Sequence, residues 1–287
     1  MSSLTDIAYL RQLLQRHGFH FSHKLGQNFL INPSVCPRMA ESCGASSEVG
    51  VLEIGPGVGV LTRELSAQGG KVLAVELDER LRPVLAETLA DCSNVEVVWG
   101  DAMKLDLAAL LREHFGDMPV AVCANLPYYI TSPLLMMLLE SQLSVVNITV
   151  MVQREAAVRL CAPPGTRAGG AISLAVAYYA QARRLFDVGA GSFLPQPKVD
   201  SSVIQLVPYE ESPVSVTDEK MLFRVIRAAF GQRRKTLANA LTGGGFDKSA
   251  LMRALETADV PSTARAETLT LEDFARVAEQ LTNTNPL

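Results

Sequence analysis

Val51-Leu52-Glu53-Ile54-Gly55-Pro56-Gly57-Val58-Gly59 is the stretch that decides the fold. An apolar run ends in glycines spaced G-x-G-x-G and gives way to an amphipathic segment, Leu61–Gln68. Strand, tight turn and helix in that order open the ligand-facing edge of an α/β sheet, because glycine lets the backbone turn sharply and approach a bound molecule. The spacing is not the G-x-G-x-x-G of dinucleotide binders. Taken alone, such a loop also fits an ordinary strand-to-helix turn.

Outward from this loop the same alternation repeats. Gly50–Ile54, Lys71–Glu76, Val95–Trp99, Pro119–Ala124 and Val145–Val152 are short runs rich in Val, Ile, Leu or Ala, the pattern of strands buried on both faces. Leu81–Cys92 and Ser132–Gln142 are further amphipathic segments between them. Repeated βα units predict a mostly parallel sheet with helices on both sides. Ser202–Val207 reads as one more strand, after Phe193-Leu194-Pro195-Gln196-Pro197, where prolines exclude a helix. Beyond Pro208 and Pro213 helical periodicity takes over at Met221–Phe230, Arg234–Leu241, Lys248–Ala258 and Leu271–Leu281, and Thr270-x-x-Asp273 resembles a capping box. The expected division is therefore a larger domain over 1–209, with an N-terminal arm over 1–48, and a small helical domain over 210–287.

Composition narrows the class. The 287 residues are 48% hydrophobic and 20% charged, as in a folded globular enzyme. The longest apolar runs, Leu134–Leu139 and Val145–Val152, fall far short of the ~20 residues of a membrane span. The N-terminus lacks a cationic stretch followed by an apolar one, so no secretory signal is expected. Cys36, Cys43, Cys92, Cys123 and Cys161 have no C-x-x-C pair and predict free thiols in a reducing cytoplasm. His17, His20 and His23 lack ligating neighbours, and no metal site is expected. The net charge of −4 argues against a protein that coats nucleic acid indiscriminately. It leaves room for local basic patches: residues 221–246 hold Arg224, Arg227, Arg233, Arg234 and Lys235 with no acid before Asp247, and residues 154–184 hold Arg154, Arg159, Arg167, Arg183 and Arg184 against only Glu155.

Three strand ends carry ligand chemistry. After Gly55 and Gly57, Glu76 closes the second strand 21 residues beyond Gly55, where a carboxylate can accept from both hydroxyls of a ribose. Asp101 follows the third strand and can reach an adenine amine. Together they point to an adenosine-containing cofactor. Asn125-Leu126-Pro127-Tyr128-Tyr129 follows the fourth strand. The exocyclic amine of adenine is a poor nucleophile because its lone pair is delocalised into the ring. Two acceptors on its N–H groups, the Asn125 side-chain oxygen and the Leu126 carbonyl, favour a pyramidal nitrogen. Tyr128 offers a flat face to an unstacked base, worth ~1–3 kcal/mol.

These segments resemble the ribosomal RNA adenine dimethyltransferase family. The match is carried by His23-Lys24-Leu25-Gly26-Gln27-Asn28-Phe29-Leu30, Glu53–Gly59, Asn125–Tyr129, Phe193-x-Pro195-x-Pro197-Lys198-Val199-Asp200-Ser201 and Ala229-Phe230-x-x-Arg233-Arg234-Lys235, with no break in any of them. The resemblance implies a Rossmann-like seven-stranded methyltransferase sheet with a small α-helical C-terminal domain. It implies S-adenosyl-L-methionine as cofactor, bound by Asn28, Leu30, Gly55, Gly57, Glu76, Asp101 and Asn125. It implies catalysis by Asn125, Leu126, Tyr128 and Phe193, with Phe193 stacking on the target adenine opposite Tyr128. The expected substrate is 16S rRNA in a precursor of the small ribosomal subunit, docked by Arg224, Arg227, Arg233, Arg234 and Lys235 and dimethylated at two adjacent adenosines. The enzyme is expected to be monomeric. The overall acidity is a departure for an enzyme that binds RNA.

Four rivals stand beside this reading. A relative that methylates one adenine of large-subunit rRNA shares the core motifs, but the Phe193–Ser201 block and the extended C-terminal domain favour the small-subunit substrate. DNA adenine methyltransferases usually carry Asp at the Asn125 position. A non-catalytic assembly or transcription factor on the same scaffold has no need of Glu76, Asp101 and Asn125 together. An NAD-dependent oxidoreductase leaves Asn125–Tyr129 unexplained.

Overall fold

The computed structural model describes residues 4–22, 25–141, 143–232 and 234–284. In chain order the strands are β1 (Phe29–Leu30), β2 (Gly50–Ile54), β3 (Val72–Glu76), β4 (Val95–Trp99), β5 (Val120–Asn125), β6 (Val145–Gln153), β7 (Ala180–Val188), β8 (Phe193–Leu194) and β9 (Ser201–Pro208). Seven of them form one sheet in the order β4-β3-β2-β5-β6-β9-β7. β2, β3, β4, β5 and β6 run parallel, and β9 returns antiparallel to β6. The parallel part is built from the Val, Ile and Leu runs whose residues are buried throughout β2 and β3. The strand order reverses at β2, between β3 and β5, and open α/β sheets bind ligands beyond the carboxyl ends of the strands at such a point.

The helices that cover this sheet include Val60–Ala67, which starts at Gly59 in the left-handed region (φ +90°), and Thr131–Glu140, which begins one residue before the expected Ser132–Gln142 segment, whose last residue lies outside the described ones. Beneath the sheet, helix Val35–Cys43 buries Val35, Cys36, Met39 and Cys43 against Val51, Ala121 and Met151. Helix Ile7–Arg16 packs Leu10, Leu13 and Leu14 with Phe19, Phe29, Leu81 and Leu85.

The chain divides into two compact units, one from the described residues within 1–157 and 183–208, the other within 158–182 and 209–287. This differs from a single cut at 209/210, which leaves 158–182 in the larger domain. Helix Ala171–Tyr179 in that segment is apolar on nearly every side, and its Leu174 and Tyr178 join the core of the helical unit. That core is otherwise made by helix Glu219–Gly231 through Leu222, Val225 and Ile226, and by helix Leu271–Thr284 through Phe274, Val277 and Ala278. The latter helix begins with the expected reciprocal cap: the Asp273 carboxylate accepts from Thr270 N at 2.8 Å, and Asp273 N donates to Thr270 Oγ1 at 3.3 Å. No described helix is long and apolar enough to cross a membrane.

Candidate active site

A cleft opens beyond the carboxyl ends of β2, β3, β4 and β5 in the sheet unit. Asn28, Leu30, Gly55, Gly57, Glu76, Asp101, Asn125, Leu126, Tyr128 and Phe193 all line it. Segments from four strand ends and the N-terminal arm therefore meet in one place, although they span positions 25 to 193 of the chain.

The glycine loop forms the floor. Gly55 takes a positive φ of 74°, and a Cβ there would point into open space, so the backbone lies bare toward the cleft. Gly57, at φ +60°, is tight against Phe29, whose ring would sit 3.1 Å from an added Cβ. Glu76 reaches across: its Oε2 accepts from Gly57 N at 3.2 Å and its Oε1 from Asp78 N at 2.8 Å. Burial raises its pKa above the ordinary carboxylate value, opposed by these backbone donors. Asp101 caps its own turn, with Oδ1 accepting from Met103 N at 3.0 Å and Oδ2 lying 3.5 Å from Lys104 Nζ.

Glu53 also lines the cleft, and no motif-level reading singled it out. It is 1% exposed, its Oε2 has no hydrogen-bond partner, and burial raises its pKa to about 8. A carboxyl group in the middle of an apolar strand was the available signal. An orphaned acceptor on the floor of a cleft, beside a bare glycine turn and a ribose-height carboxylate, fits a cofactor carrying both a ribose and an amino group.

Asn125 ends β5, and its Nδ2 donates to the Asn28 carbonyl at 3.3 Å. Only the NH2 end of the amide can serve a carbonyl, so the amide oxygen is the end left to accept from another molecule. Leu126 is buried and anchored by its N–H to the Met151 carbonyl at 3.2 Å. Tyr128 is held at its hydroxyl by Ser201 Oγ at 2.9 Å, and partial burial raises its pKa. That bond gives the Phe193–Ser201 block a structural purpose. Its Asp200 accepts from Ala190 N at 3.1 Å and pairs with Arg154 at 3.2 Å, which fixes the start of β9 beneath Tyr128.

Phe193 reaches the cleft through an element too short to read in advance. β1 and β8 form a two-stranded antiparallel ribbon with Phe29 opposite Leu194 and Leu30 opposite Phe193. Phe193 is 3% exposed, packed in the same cluster as Leu30, Val188 and Val203. Its ring is packed as part of the cleft wall.

The basic candidates lie in the helical unit. Arg224 and Arg227 are exposed three positions apart on helix Glu219–Gly231, and Arg234 and Lys235 are exposed in the turn that follows. None of the four pairs with an acid among the described residues; Arg224 lies over the Phe246 ring at 4.5 Å. Arg233 lies outside the described residues, as do His23 and Lys24 of the arm motif. No cluster of His, Cys, Asp and Glu able to hold a metal ion occurs among the described residues.

The family model for "Ribosomal RNA adenine dimethylase" matches residues 18–283. A "Ribosomal RNA small subunit methyltransferase A" from Oceanobacillus iheyensis is 43% identical over 272 residues, covering 93% of this chain and 92% of the relative. One from Enterococcus faecalis is 43% identical over 282 residues, covering 96% of each. Among solved structures, a dimethyladenosine transferase from Plasmodium falciparum superposes with a TM-score of 0.73 at 26% identity, covering 87% of this chain and 95% of its own. The 23S rRNA methyltransferase ErmE superposes with a TM-score of 0.68 at 26% identity, covering 88% and 99%.

Proposed function

The chain belongs to the ribosomal RNA adenine dimethylase family, and on that premise we propose that it dimethylates the N6 amines of two adjacent adenosines near the 3′ end of 16S rRNA in the small ribosomal subunit, using S-adenosyl-L-methionine. The observation that carries this reading is the orientation of Asn125: its NH2 is committed to Asn28, and its oxygen remains to accept from a substrate amine, in the cleft that also holds the glycine loop and Glu76.

Gly55 and Gly57 would bring bare backbone to the cofactor, Glu76 would accept from its ribose hydroxyls, Asp101 would face its adenine, and Asn28 and Leu30 would close over it from the arm. S-adenosylmethionine supplies an activated methyl group when bound, so no protein nucleophile is required. Asn125 and the Leu126 carbonyl accept from the two N–H groups of the target amine and align its lone pair. Asn125 is neutral and cannot act as a general base, so the proton leaves late, from the methylated and positively charged nitrogen to water. Tyr128, clamped through Ser201, presents its ring to the flipped base. Arg224, Arg227, Arg233, Arg234 and Lys235 would hold RNA phosphates.

The small-subunit substrate is favoured over the large-subunit one because relatives named for the small subunit reach 43% identity over nearly the whole chain, against 26% for ErmE. The test is methyl transfer from labelled S-adenosylmethionine to purified small and large subunits lacking adenine methylation, assayed side by side, followed by mapping of the labelled bases. Two adjacent dimethylated adenosines near the 3′ end are expected. Label confined to large subunits would replace this substrate assignment.

A further inference from the structure

The arm that carries Asn28 is held by a hub at the end of β3. Asp78 lies two residues past Glu76, and its carboxylate takes a bidentate pair from Arg80, Nε to Oδ1 at 2.8 Å and Nη2 to Oδ2 at 2.6 Å. The same Oδ2 accepts from Gln27 Nε2 at 2.7 Å. The other end of the Gln27 amide accepts from Ser22 N at 2.8 Å, so Gln27 ties Ser22 to Asp78. Arg80 adds two more contacts to the arm: Nη1 donates to the His20 carbonyl at 3.3 Å, and the guanidinium lies 5.2 Å from the centre of the Phe19 ring. The Arg80 hydrogen bonds, followed by that of Gln27, hold the Asp78 carboxyl below the usual range, so Asp78 is ionised at neutral pH and pairs with the Arg80 cation.

Both outputs of the hub reach the site. The Asp78 backbone N–H donates to Glu76 Oε1, and the Asp78 side chain fixes Gln27, whose next residue is Asn28. Asn28 in turn supplies the carbonyl that orients Asn125. A continuous path thus runs from Glu76 through Asp78 and Gln27 to Asn28 and Asn125.

Resting on the function proposed above, we infer that Gln27 and Asp78 are positioning residues that clasp the N-terminal arm over the cleft and, through the Asn28 carbonyl, set the angle of the Asn125 amide. Neither touches the reacting atoms. The clasp links the ribose-facing carboxylate of Glu76 to the geometry of the methyl acceptor site.

The chemistry of the clasp permits an inversion test. Gln27→Glu keeps an acceptor for Ser22 N but sets a second carboxylate against Asp78, so the arm should be released. Adding Asp78→Asn removes the like charge and lets the new amide at position 78 donate to the carboxylate at position 27, with the roles exchanged. The Arg80 Nη2 bond to that same atom is lost, while Oδ1 keeps Arg80 Nε and the backbone N–H at 78 still serves Glu76. Two readouts are taken on the full-length protein. The first is amide hydrogen exchange without RNA at Ser22 and Leu25–Leu30, with Val51–Ile54 as an internal reference for global stability. Gln27→Glu should speed exchange in the arm by about tenfold or more and leave the reference segment unchanged, and the double variant should reverse part of it. The second is the single-turnover methylation rate at saturating S-adenosylmethionine and small subunits. Gln27→Glu should lower it about tenfold with little change in substrate KM, and the double variant should recover part of the loss. Arm exchange unaltered by Gln27→Glu, or a double variant no better than the single one, would overturn the clasp. The exchange readout stands even if wild-type protein fails to methylate small subunits, a result that would strike the proposed substrate and not the clasp.

Discussion

The Asn125 side chain donates to the main-chain carbonyl of Asn28, 97 residues away in sequence, across 3.3 Å. That one bond settles which end of the amide faces the cleft. It also makes the N-terminal arm part of the acceptor site, because the partner is backbone and any residue at position 28 presents the same carbonyl. Asn28→Ala should therefore leave the orientation of Asn125 intact and lower the methylation rate less than Asn125→Ala does. Equal losses in single-turnover rate would mean that the Asn28 side chain acts directly.

Glu76→Ala should weaken S-adenosylmethionine binding by ~1.5–3 kcal/mol for each lost bond to the charged group. The residue also receives Gly57 N and Asp78 N, so part of the loss will come from a looser glycine loop. The pH dependence has a definite sign. Burial raises the Glu76 pKa, and only the carboxylate accepts fully from ribose hydroxyls, so affinity should fall as pH drops through that raised value. Calorimetric titration from neutral to mildly acid pH measures it; affinity that rises on acidification contradicts the assignment.

Phe193 serves packing as well as any stacking. Phe193→Ala removes a buried ring from the cluster with Leu30 and should cost about 3–5 kcal/mol of stability. Phe193→Leu keeps most of the volume and should cost less than about 1.5 kcal/mol. If the ring also stacks on the target base, the Leu variant should still raise the substrate KM. Denaturation curves separate the two effects, and a Leu variant with wild-type KM leaves Phe193 a core residue only.

Glu53 makes stability fall with pH in a defined window. Its folded pKa is raised to about 8 from an ordinary value of 4.5, so the folded state binds the extra proton between those values. The Glu53 contribution is fully present below about pH 4.5 and is lost as pH rises toward 8. Glu53→Gln, which stays neutral, should gain stability relative to wild type as pH increases through this range. Paired melting curves from pH 5 to about 9 read the difference, and a gap that does not widen excludes a buried, protonated Glu53.

The exposed cations of the helical unit should make substrate binding salt-dependent. Charge reversal at Arg227 and Arg234 should lower the salt slope by ~1 for each phosphate no longer neutralised and raise the substrate KM, with cofactor affinity unchanged. Arg224 is a poorer probe, because its stacking on Phe246 adds a folding cost. An unaltered slope would remove this face from the RNA interface.

Six of the seven sheet strands were legible because they are short apolar runs separated by turn residues, and Gly50–Ile54 and Val95–Trp99 fall where their sequences place them. Site residues tied to strand ends, such as Glu76 and Asn125, were legible for the same reason. β7 was not legible, because Ala180–Val188 carries charged residues and is largely outside the core. The ribbon of Phe29–Leu30 with Phe193–Leu194 was not: two residues per strand show no alternation, and the partners lie 163 positions apart or more. Ala171–Tyr179 was missed because a segment apolar on all sides carries no helical period. Gln27 and Asp78 stood in view as ordinary polar residues, and only their juxtaposition gives them a role.

Asn125 aligns the adenine amine in this mechanism, and the sharpest check is single-turnover methylation of small subunits by Asn125→Ala at saturating S-adenosylmethionine. Removing a preorganised hydrogen-bonding group at a reacting centre should depress the rate on the order of a hundredfold or more. The substrate KM should change far less, because the interaction is made in the transition state. An Asn125→Ala enzyme that methylates at the wild-type rate would contradict the mechanism outright.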